Sequence, residues 1–390
     1  MRLSIISSSF VAAVVGFGGT VALPLAAAGA VGASPTETSS YIAALCIGVA
    51  VSSTILSVRY KMPLLTAWST PGSAVIASFG GGIGMSSAVG AFMTSAILIT
   101  ACAAIRPLAS LVSRIPMSVA AAMLAGVLVR FPIALVTNAG VTPALVLPLL
   151  ALFFLLRLWS PSGAVLGVLL AGAAAIFALG LTDGSAFQFV TPHLVFVPPT
   201  FDLPVVLGLG IPLFIVTMAA QNLPGFAVLR AGGYWPPTSP ALAVTGLTSL
   251  VMAFFCASGI NLAAITAAIC TGPDTHPDPA KRYLCGPWYG LWYVILTALG
   301  ATLVAVFAVL PPSFIATVAG LALLSPLTGA LASSLQEEKD RLAAVATFIT
   351  TASGIAFFGL GAPFWGLAAG LGVLGLDHLK ARFATMQPHG

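Results

Sequence analysis

Charged residues are what this sequence has least of. Only 6% of its 390 residues are Asp, Glu, Lys or Arg, and 59% are hydrophobic, whereas soluble proteins carry about 25% charged residues. Nine acidic residues and four histidines leave little material for a soluble catalytic domain. The composition therefore predicts an all-α, polytopic membrane protein whose helices contact the lipid bilayer.

The chain also lacks the residue patterns of common catalytic and metal sites. Its five cysteines are scattered, mostly within apolar runs, and none forms a Cys-x-x-Cys pair that would indicate a metal site or a disulfide framework. There is no Walker loop, no His-Glu-x-x-His motif and no carboxylate pair, and no Asp, Glu, Lys or His lies well inside a predicted span. We therefore expect no enzymatic activity, no metal and no cofactor.

Apolar runs separated by charged or Pro-rich joints predict fourteen membrane segments. The first apolar run extends to about Gly32 and is too long for the apolar core of a signal peptide, so we expect it to be a span. Segment 2 opens at Ser34-Pro35-Thr36-Glu37, a capping-box sequence, and Glu37 is therefore interpreted as a helix cap and not a proton carrier. The predicted segments 1 to 14 cover about 3–32, 35–60, 63–79, 86–105, 117–130, 133–157, 161–181, 203–228, 238–253, 254–271, 286–309, 312–332, 342–359 and 361–378.

The net charge of +5 is better explained by the orientation of the chain in the membrane than by binding to nucleic acid. With the N-terminus in the cytoplasm and the spans alternating, all Lys and Arg residues except Arg130 fall on the cytoplasmic side. Arg130 is expected outside, at the end of segment 5 and before Phe131-Pro132. We expect a multi-pass protein of the bacterial inner membrane, with both termini in the cytoplasm and no nucleic-acid partner.

Two segments are unsuited to a full-length helix. In segment 10 the sequence Ser-Gly-Ile-Asn at 258–261 interrupts the apolar run, Ser258 or Asn261 can cap a helix there, and Gly272-Pro273 ends it. A helix of about 11 to 13 residues spans about 16 to 20 Å, less than the roughly 30 Å of a bilayer core. Segment 3 has extended residues before Pro71 and a short helix to about Phe79. Each is predicted to be a short strand followed by a half-helix.

The hydrophilic residues near 182–202 divide the chain into two sets of seven segments, and an odd number of spans inverts the second set. The N-termini of both half-helices then meet near the membrane midplane, where unpaired N–H groups and the helix dipoles favour an anion. Gln221 and Asn222 in segment 8 have either a substrate role or a role in hydrogen bonding between helices. Phe17, Trp68 and Phe255 either stack on an aromatic ligand or only pack.

Four motifs resemble those of the bacterial benzoate/proton symporters, the BenE family, over nearly the whole chain. They are Gly-Phe-Gly-Gly-Thr at 16–20, Ser-Thr-Pro-Gly-Ser at 69–73, Gln-Asn-Leu-Pro-Gly at 221–225 and Ser-Gly-Ile-Asn at 258–261, which is followed by Thr-Gly-Pro-Asp at 271–274. The family is similar in architecture to the uracil permeases. The resemblance thus implies a 7+7 inverted repeat, short antiparallel strands before the half-helices, and a homodimer.

The resemblance also implies a division into core and gate. Segments 1–4 and 8–11 would form the core, at 1–108 and 203–309, and segments 5–7 and 12–14 the gate, at 109–182 and 310–380. A periplasmic connection at 183–202 and a cytoplasmic tail at 381–390 complete the chain.

The implied function is secondary active import of benzoate, or a similar small aromatic carboxylate, with protons by an elevator-like motion. The nucleobase relatives place carboxylates in segments 8 and 10, where this chain has Gln221 and Ile260-Asn261. A site without acids suits an anion better than a neutral base. A nucleobase or inorganic-anion carrier of the same fold remains the alternative, and a non-transporting scaffold has no need of broken helices. The expected substrate-binding residues are Phe17, Gly18, Thr70, Gly72, Ser73, Gln221, Asn222, Ser258, Gly259 and Asn261.

Overall fold

A computed structural model describes residues 3–79, 82–105, 116–159, 163–178, 180, 191–355, 357–358 and 360–386. Arg2, Arg106, Arg114 and Asp183, and the end of the predicted tail at 387–390, lie outside the described residues. Six continuous helical stretches of the described chain are long and apolar enough to cross a membrane. Segments 6, 7, 9 and 13 are shorter helices, segments 11 and 14 are helices of 25 residues each, and segments 3 and 10 are interrupted.

The helices follow one another in the order of the predicted segments. Their bounds, from segment 1 to segment 7, are Leu3–Gly18 with Ala22–Ala30, Pro35–Tyr60, Thr70–Phe79, Met85–Ala104, Met117–Leu128 with Arg130–Val141, Pro143–Trp159, and Ala164–Ala178. From segment 9 to segment 14 they are Thr238–Ala253, Ile265–Thr271, Cys285–Val309, Pro312–Ser334, Arg341–Ala352 and Ala362–Met386. Short 3₁₀ turns at Pro279–Leu284 and Glu338–Asp340 precede segments 11 and 13.

Segment 2 begins as the sequence predicts. The Ser34 hydroxyl accepts a hydrogen bond from the Glu37 N–H, and the Glu37 carboxylate accepts one from the Ser34 N–H at 2.8 Å. This reciprocal pair satisfies two of the donors that every helix N-terminus leaves unpaired. The interpretation of Glu37 as a helix cap is confirmed.

The predicted boundary between segments 5 and 6 is wrong. The helix does not end at Phe131-Pro132 but continues, after a break at Val129, as Arg130–Val141, and the chain turns at Thr142. Pro132 lies in the first turn of that second helix, where its missing N–H would have no helical partner in any case. Arg130 is therefore an interior residue of the helical stretch Met117–Val141 and not a residue of an outer loop.

Segment 8 is one helical stretch interrupted twice by wider π-turns. It consists of Leu203–Val205, the π-turn Val206–Gly210, Ile211–Thr217, the π-turn Met218–Asn222 and Leu223–Ala231. The second π-turn contains both Gln221 and Asn222. Such turns are rare and rotate the side chains that follow, which is why they often occur at functional sites.

Glycines allow close helix pairing in the predicted core. A Cβ atom added at Gly286 or Gly290 of segment 11 would lie 2.9 Å from the carbonyl oxygens of Ser53 and Ala50 in segment 2. A Cβ added at Gly246 of segment 9 would lie 2.9 Å from the Thr100 nitrogen in segment 4. Without a hydrophobic driving force in lipid, such close contact between backbones is a main source of helix association. Segment 2 thus pairs with segment 11, and segment 4 with segment 9.

The predicted gate uses the same device between segments 13 and 14. A Cβ added at Gly370 would meet the Thr347 hydroxyl, and it would lie 3.0 Å from Cγ1 of Val119 and 3.3 Å from the Ala343 carbonyl oxygen. Gly372 lies on the same helix and would meet nothing within 4 Å. The two glycines therefore form a matched pair for testing this packing.

We predict that Gly370→Ala destabilises the protein by about 1–3 kcal/mol, because the added methyl group overpacks the contact with Thr347. Gly372→Ala should be neutral or stabilise by up to about 1 kcal/mol, since alanine favours a helix over glycine. The midpoint of thermal unfolding in detergent measures both variants. Equal midpoints for the two would show that this contact does not hold segments 13 and 14 together.

Candidate functional site

Segments 3 and 10 meet in a two-stranded antiparallel ladder. Strand β1 (Thr66–Trp68) pairs with strand β2 (Ile260–Leu262), and Trp68 lies opposite Ile260. The half-helix Thr70–Phe79 follows β1, and the half-helix Ile265–Thr271 follows β2. Because the strands are antiparallel, the half-helices leave from opposite ends of the ladder.

The half-helix of segment 10 is shorter than the sequence analysis predicted. It begins at Ile265 and has seven residues, and its N-cap residue Ala264 makes no side-chain cap bond. The predicted capping role of Ser258 and Asn261 is therefore wrong, since Asn261 lies in β2 and Ser258 precedes that strand. The strand takes residues that local sequence alone would place in the helix.

Side chains from neighbouring helices complete the hydrogen bonding of the ladder. The Thr66 N–H donates to Ser53 Oγ at 2.9 Å, and the Ile260 N–H donates to Ser249 Oγ at 2.8 Å. The Leu262 N–H donates to Asn222 Oδ1 at 3.0 Å. These bonds matter because an unpaired backbone N–H inside a membrane costs several kcal/mol.

Ser69 caps the half-helix of segment 3. Its hydroxyl accepts the Gly72 N–H at 2.9 Å, and its carbonyl accepts the Ser73 N–H at 2.8 Å. Pro71 has no N–H, so the first turn presents chiefly the N–H of Thr70, which is half-buried. Gly72 is tightly enclosed, because a Cβ there would lie 2.8 Å from Leu213 Cδ1 in segment 8. Fewer backbone donors are therefore free for an anion than the sequence suggested.

Trp68 is the centre of one group of the predicted site residues. The Phe17 ring meets its ring edge to face at a centroid distance of 5.6 Å, and Gln221 Nε2 donates to its carbonyl oxygen at 3.1 Å. Its indole Nε1 donates to the Thr20 hydroxyl at 2.9 Å. Gly18 follows Phe17 and packs against Leu166 of segment 7. The structure thus brings segments 1, 3 and 8 together at the end of β1.

Tyr41 of segment 2 is the centre of a second group. Its hydroxyl donates to Ser258 Oγ at 2.7 Å and lies beside the hydroxyl of Ser73, which is buried without a hydrogen bond in the part of the chain that the structure describes. Gly259 has a φ of +139°, a backbone conformation in which a residue with a side chain would be strained. Ser73 and Ser258 therefore share Tyr41 of segment 2 as a neighbour.

Asn222 and Asn261 are both buried, but their side chains have different surroundings. Asn222 is fully buried, and its amide accepts from β2 and donates to Met218 Sδ at 3.4 Å. Asn261 is 1% exposed, and its Oδ1 has no hydrogen-bond partner among the described residues. A buried amide oxygen without a partner costs free energy unless a ligand or water supplies a donor. Asn261 is the better candidate for ligand contact.

Several residues of the site were missed by the sequence analysis. Ser69 carries an ordinary signal, since Ser before Thr-Pro-Gly matches an N-cap before a first-turn proline. Thr20, Tyr41 and Ser249 act from other segments, and nothing in their local sequence indicates their partners. Only the tertiary fold brings them to the ladder.

The chain was compared with known proteins. The family model described as benzoate membrane transport protein matches residues 1–376. The chain is 37% identical over 365 residues to the inner membrane protein YdcO of Escherichia coli, covering 93% of each chain. It is 35% identical over 369 residues to the benzoate membrane transport protein of Acinetobacter baylyi, covering 95% of this chain and 94% of that protein.

Among solved structures, the chain is similar to the transmembrane domain of a cyanobacterial bicarbonate transporter, BicA. The TM-score is 0.63 at 15% identity, covering 95% of this chain and 98% of that chain. At this identity the likeness concerns the fold alone, which is a mostly helical polytopic membrane fold.

We expect substitution by leucine to affect protein stability differently at the two asparagines. Asn222→Leu leaves the Leu262 N–H without its acceptor and should destabilise the protein by about 1–3 kcal/mol. Asn261→Leu removes an oxygen that has no partner and should leave stability unchanged or raise it. Thermal unfolding in detergent measures both. An equal loss in the two variants would mean that Asn261 has a structural partner and is not available to a ligand.

Proposed function

The chain belongs to the benzoate membrane transport protein family, and from that premise we propose that it imports benzoate, or a similar small aromatic carboxylate, together with a proton. Membership makes the protein a membrane transporter and not an enzyme. The substrate, the coupled proton and the binding residues are the parts we propose.

The observation that carries the proposal is the buried amide oxygen of Asn261, which has no hydrogen-bond partner among the described residues and lies in the middle of the ladder that joins the two half-helix segments. A protonated carboxylic acid offers one O–H donor and one carbonyl acceptor. In this arrangement Asn261 Oδ1 accepts the hydrogen bond from the O–H of the acid. The Thr70 N–H donates to the carbonyl oxygen of the acid, which the positive end of the segment 3 half-helix dipole also stabilises. An ionised carboxylate fits if the Asn261 amide turns its NH₂ towards it, since an amide presents either end.

Phe17 and Trp68, beside β1 of the same ladder, are the proposed neighbours of the substrate's aromatic ring. Phe17 and Trp68 already meet edge to face, and aromatic rings prefer this arrangement or an offset stack. Gln221 is half-buried and donates one N–H to the Trp68 carbonyl, which leaves its second N–H and its amide oxygen available. Of the ten expected site residues, we propose Thr70, Gln221 and Asn261 as the direct polar contacts.

We further propose that segments 1–7 and 8–14 are inverted repeats. Under such a symmetry the pairing of segment 2 with segment 11 corresponds to that of segment 9 with segment 4, and glycines mediate both. Segments 1–4 and 8–11 then form the core, which carries the ladder past a gate of segments 5–7 and 12–14 in an elevator-like motion. The protein lies in a bacterial inner membrane with its N- and C-termini on the cytoplasmic side, and it forms a homodimer.

Uptake of labelled benzoate into proteoliposomes tests the proposed function. An imposed pH gradient, acidic outside, should drive accumulation, and unlabelled benzoate and salicylate should compete while uracil and bicarbonate do not. A cycle of one benzoate anion and one proton moves no net charge and gains nothing from the roughly 2.3 kcal/mol per charge that 100 mV supplies. Uptake at zero pH gradient should therefore not respond to voltage. A voltage response would refute the electroneutral cycle, and competition by uracil or bicarbonate would favour the alternative carriers.

Gln221→Glu should make benzoate binding depend on pH. An ionised Glu beside the bound carboxylate repels it, so the new acid must take up a proton before the substrate binds. Affinity should weaken above the pKa of that Glu and recover below it, whereas Gln221→Met should show no such pH profile. Equilibrium binding of labelled benzoate in detergent across pH measures both. An unchanged profile in Gln221→Glu would place the substrate away from segment 8.

A further inference from the structure

A buried arginine lies at the end of the segment 10 half-helix. Arg282 belongs to the 3₁₀ turn Pro279–Leu284, which precedes segment 11, and it is 8% exposed. Among the side chains that the structure describes, it is the only buried Lys or Arg. The ion pairs of the described residues, Lys281–Asp278 and Arg341–Glu338, do not include it. A buried cation without a carboxylate is costly unless other groups compensate its charge.

The guanidinium of Arg282 joins the half-helix to the loop that follows it. Its Nη1 donates to the Thr271 carbonyl oxygen at 2.5 Å, and its Nε donates to the His276 carbonyl oxygen at 2.7 Å. Thr271 is the last residue of the half-helix, and a helix C-terminus carries partial negative charge. The two carbonyl groups and the helix dipole thus compensate the charge of Arg282, and one planar side chain holds two points of the backbone.

Side chains cap the C-terminal end of this half-helix but not its N-terminal end. The Thr271 hydroxyl donates to the Ala268 carbonyl oxygen, and the Thr275 hydroxyl donates to the Ile269 carbonyl oxygen, both at 3.0 Å. With the bond from Arg282, three of the last four carbonyl oxygens therefore accept a side-chain hydrogen bond. At the other end no side chain caps the helix. The half-helix is thus fixed chiefly from its C-terminal end.

The loop that carries Arg282 is itself tied to neighbouring segments. The Ser4 hydroxyl of segment 1 donates to the Thr275 carbonyl oxygen at 2.8 Å, and the Tyr234 hydroxyl, just after segment 8, donates to the Pro279 carbonyl oxygen at 3.1 Å. The half-helix has seven residues, or about 10 Å, and it begins three residues after the end of β2. A short helix therefore transmits the position of its C-terminal end to the strand that contains Asn261.

We propose that Arg282 is a positioning residue for the ladder, which fixes the C-terminal end of the segment 10 half-helix and thereby sets where β2 and Asn261 lie. The inference rests on the proposed function only for its ligand, benzoate, since the hydrogen bonds of Arg282 do not depend on the substrate. A lysine in its place has a compact ammonium group and cannot reproduce the planar fork that spans two carbonyl groups. Without the guanidinium the half-helix leaves its position for part of the time, and only the positioned form binds benzoate.

The native Cys270 reports on the half-helix without relying on transport. It lies in the last turn and is fully buried, and replacing the other four cysteines by alanine leaves it as the only thiol. A second protein keeps only Cys46, which is fully buried in segment 2. The rate of labelling by a small maleimide in detergent is measured in both proteins for the parent, Arg282→Gln, Arg282→Lys and Lys281→Gln. Lys281 is the matched control, because it has the same charge in the same turn and is exposed.

Arg282→Gln should speed the labelling of Cys270 about tenfold or more, as expected for the loss of charge-assisted hydrogen bonds, and leave that of Cys46 unchanged. Arg282→Lys should give an intermediate rate and Lys281→Gln the parent rate. Benzoate should slow the labelling of Cys270 in Arg282→Gln, because it shifts the population towards the positioned half-helix. Equilibrium binding should show about tenfold weaker benzoate affinity in Arg282→Gln and none of this loss in Lys281→Gln, since apparent affinity falls with the positioned fraction.

Four results would overturn the positioning role. They are an unchanged Cys270 rate in Arg282→Gln, an equal rise in the Cys46 rate in both Arg282 variants, a parent-like benzoate affinity in Arg282→Gln, or a Cys270 rate there that benzoate does not slow although the parent binds it. The second would show that the whole fold has loosened. A parent protein that binds no benzoate would instead refute the proposed function, and the comparison of Cys270 with Cys46 would still test whether Arg282 holds the half-helix.

Discussion

Backbone N–H and C=O groups that leave a helix inside a bilayer must find partners within the protein, and segments 3 and 10 meet this requirement only together. Each supplies a three-residue strand, and the strands pair. Ser53, Ser249 and Asn222 then provide acceptors for the strand N–H groups that the ladder leaves unpaired. Because two helices are interrupted, polar side chains on three other segments are needed as hydrogen-bond acceptors. The acceptor from segment 8, Asn222, lies in a π-turn together with Gln221, and this turn rotates both side chains towards the strands.

This constraint explains which parts of the site were predictable. The proline and glycine signals around Pro71 and Gly272-Pro273 correctly indicated that segments 3 and 10 are not full-length helices. The start of the second half-helix was not predictable, because Leu262, Ala263 and Ala264 favour a helix locally. They remain outside it because Leu262 pairs with Thr66, and the Ala263 N–H donates to the Leu65 carbonyl at 3.0 Å. Such long-range hydrogen bonds leave no mark in the local sequence.

The other errors have equally physical causes. Phe131-Pro132 reads as a helix end, but a proline in the first turn of a helix costs little, and so the chain continues to Val141. Gln221 and Asn222 were correctly singled out as polar residues in an apolar segment. The sequence could not divide their roles, because the partners of both lie in segments 3 and 10. The distinction between a satisfied amide at Asn222 and an unsatisfied one at Asn261 exists only in the folded chain.

The central claim is that an aromatic carboxylate binds at the ladder, between the half-helices. The most direct measurement is the structure of the protein with 4-bromobenzoate, whose bromine is located by anomalous scattering. The account predicts a carboxyl group within hydrogen-bonding distance of the Thr70 N–H and the Asn261 side chain, with the ring beside Phe17 and Trp68. A fully occupied ligand that touches neither half-helix nor ladder would contradict it.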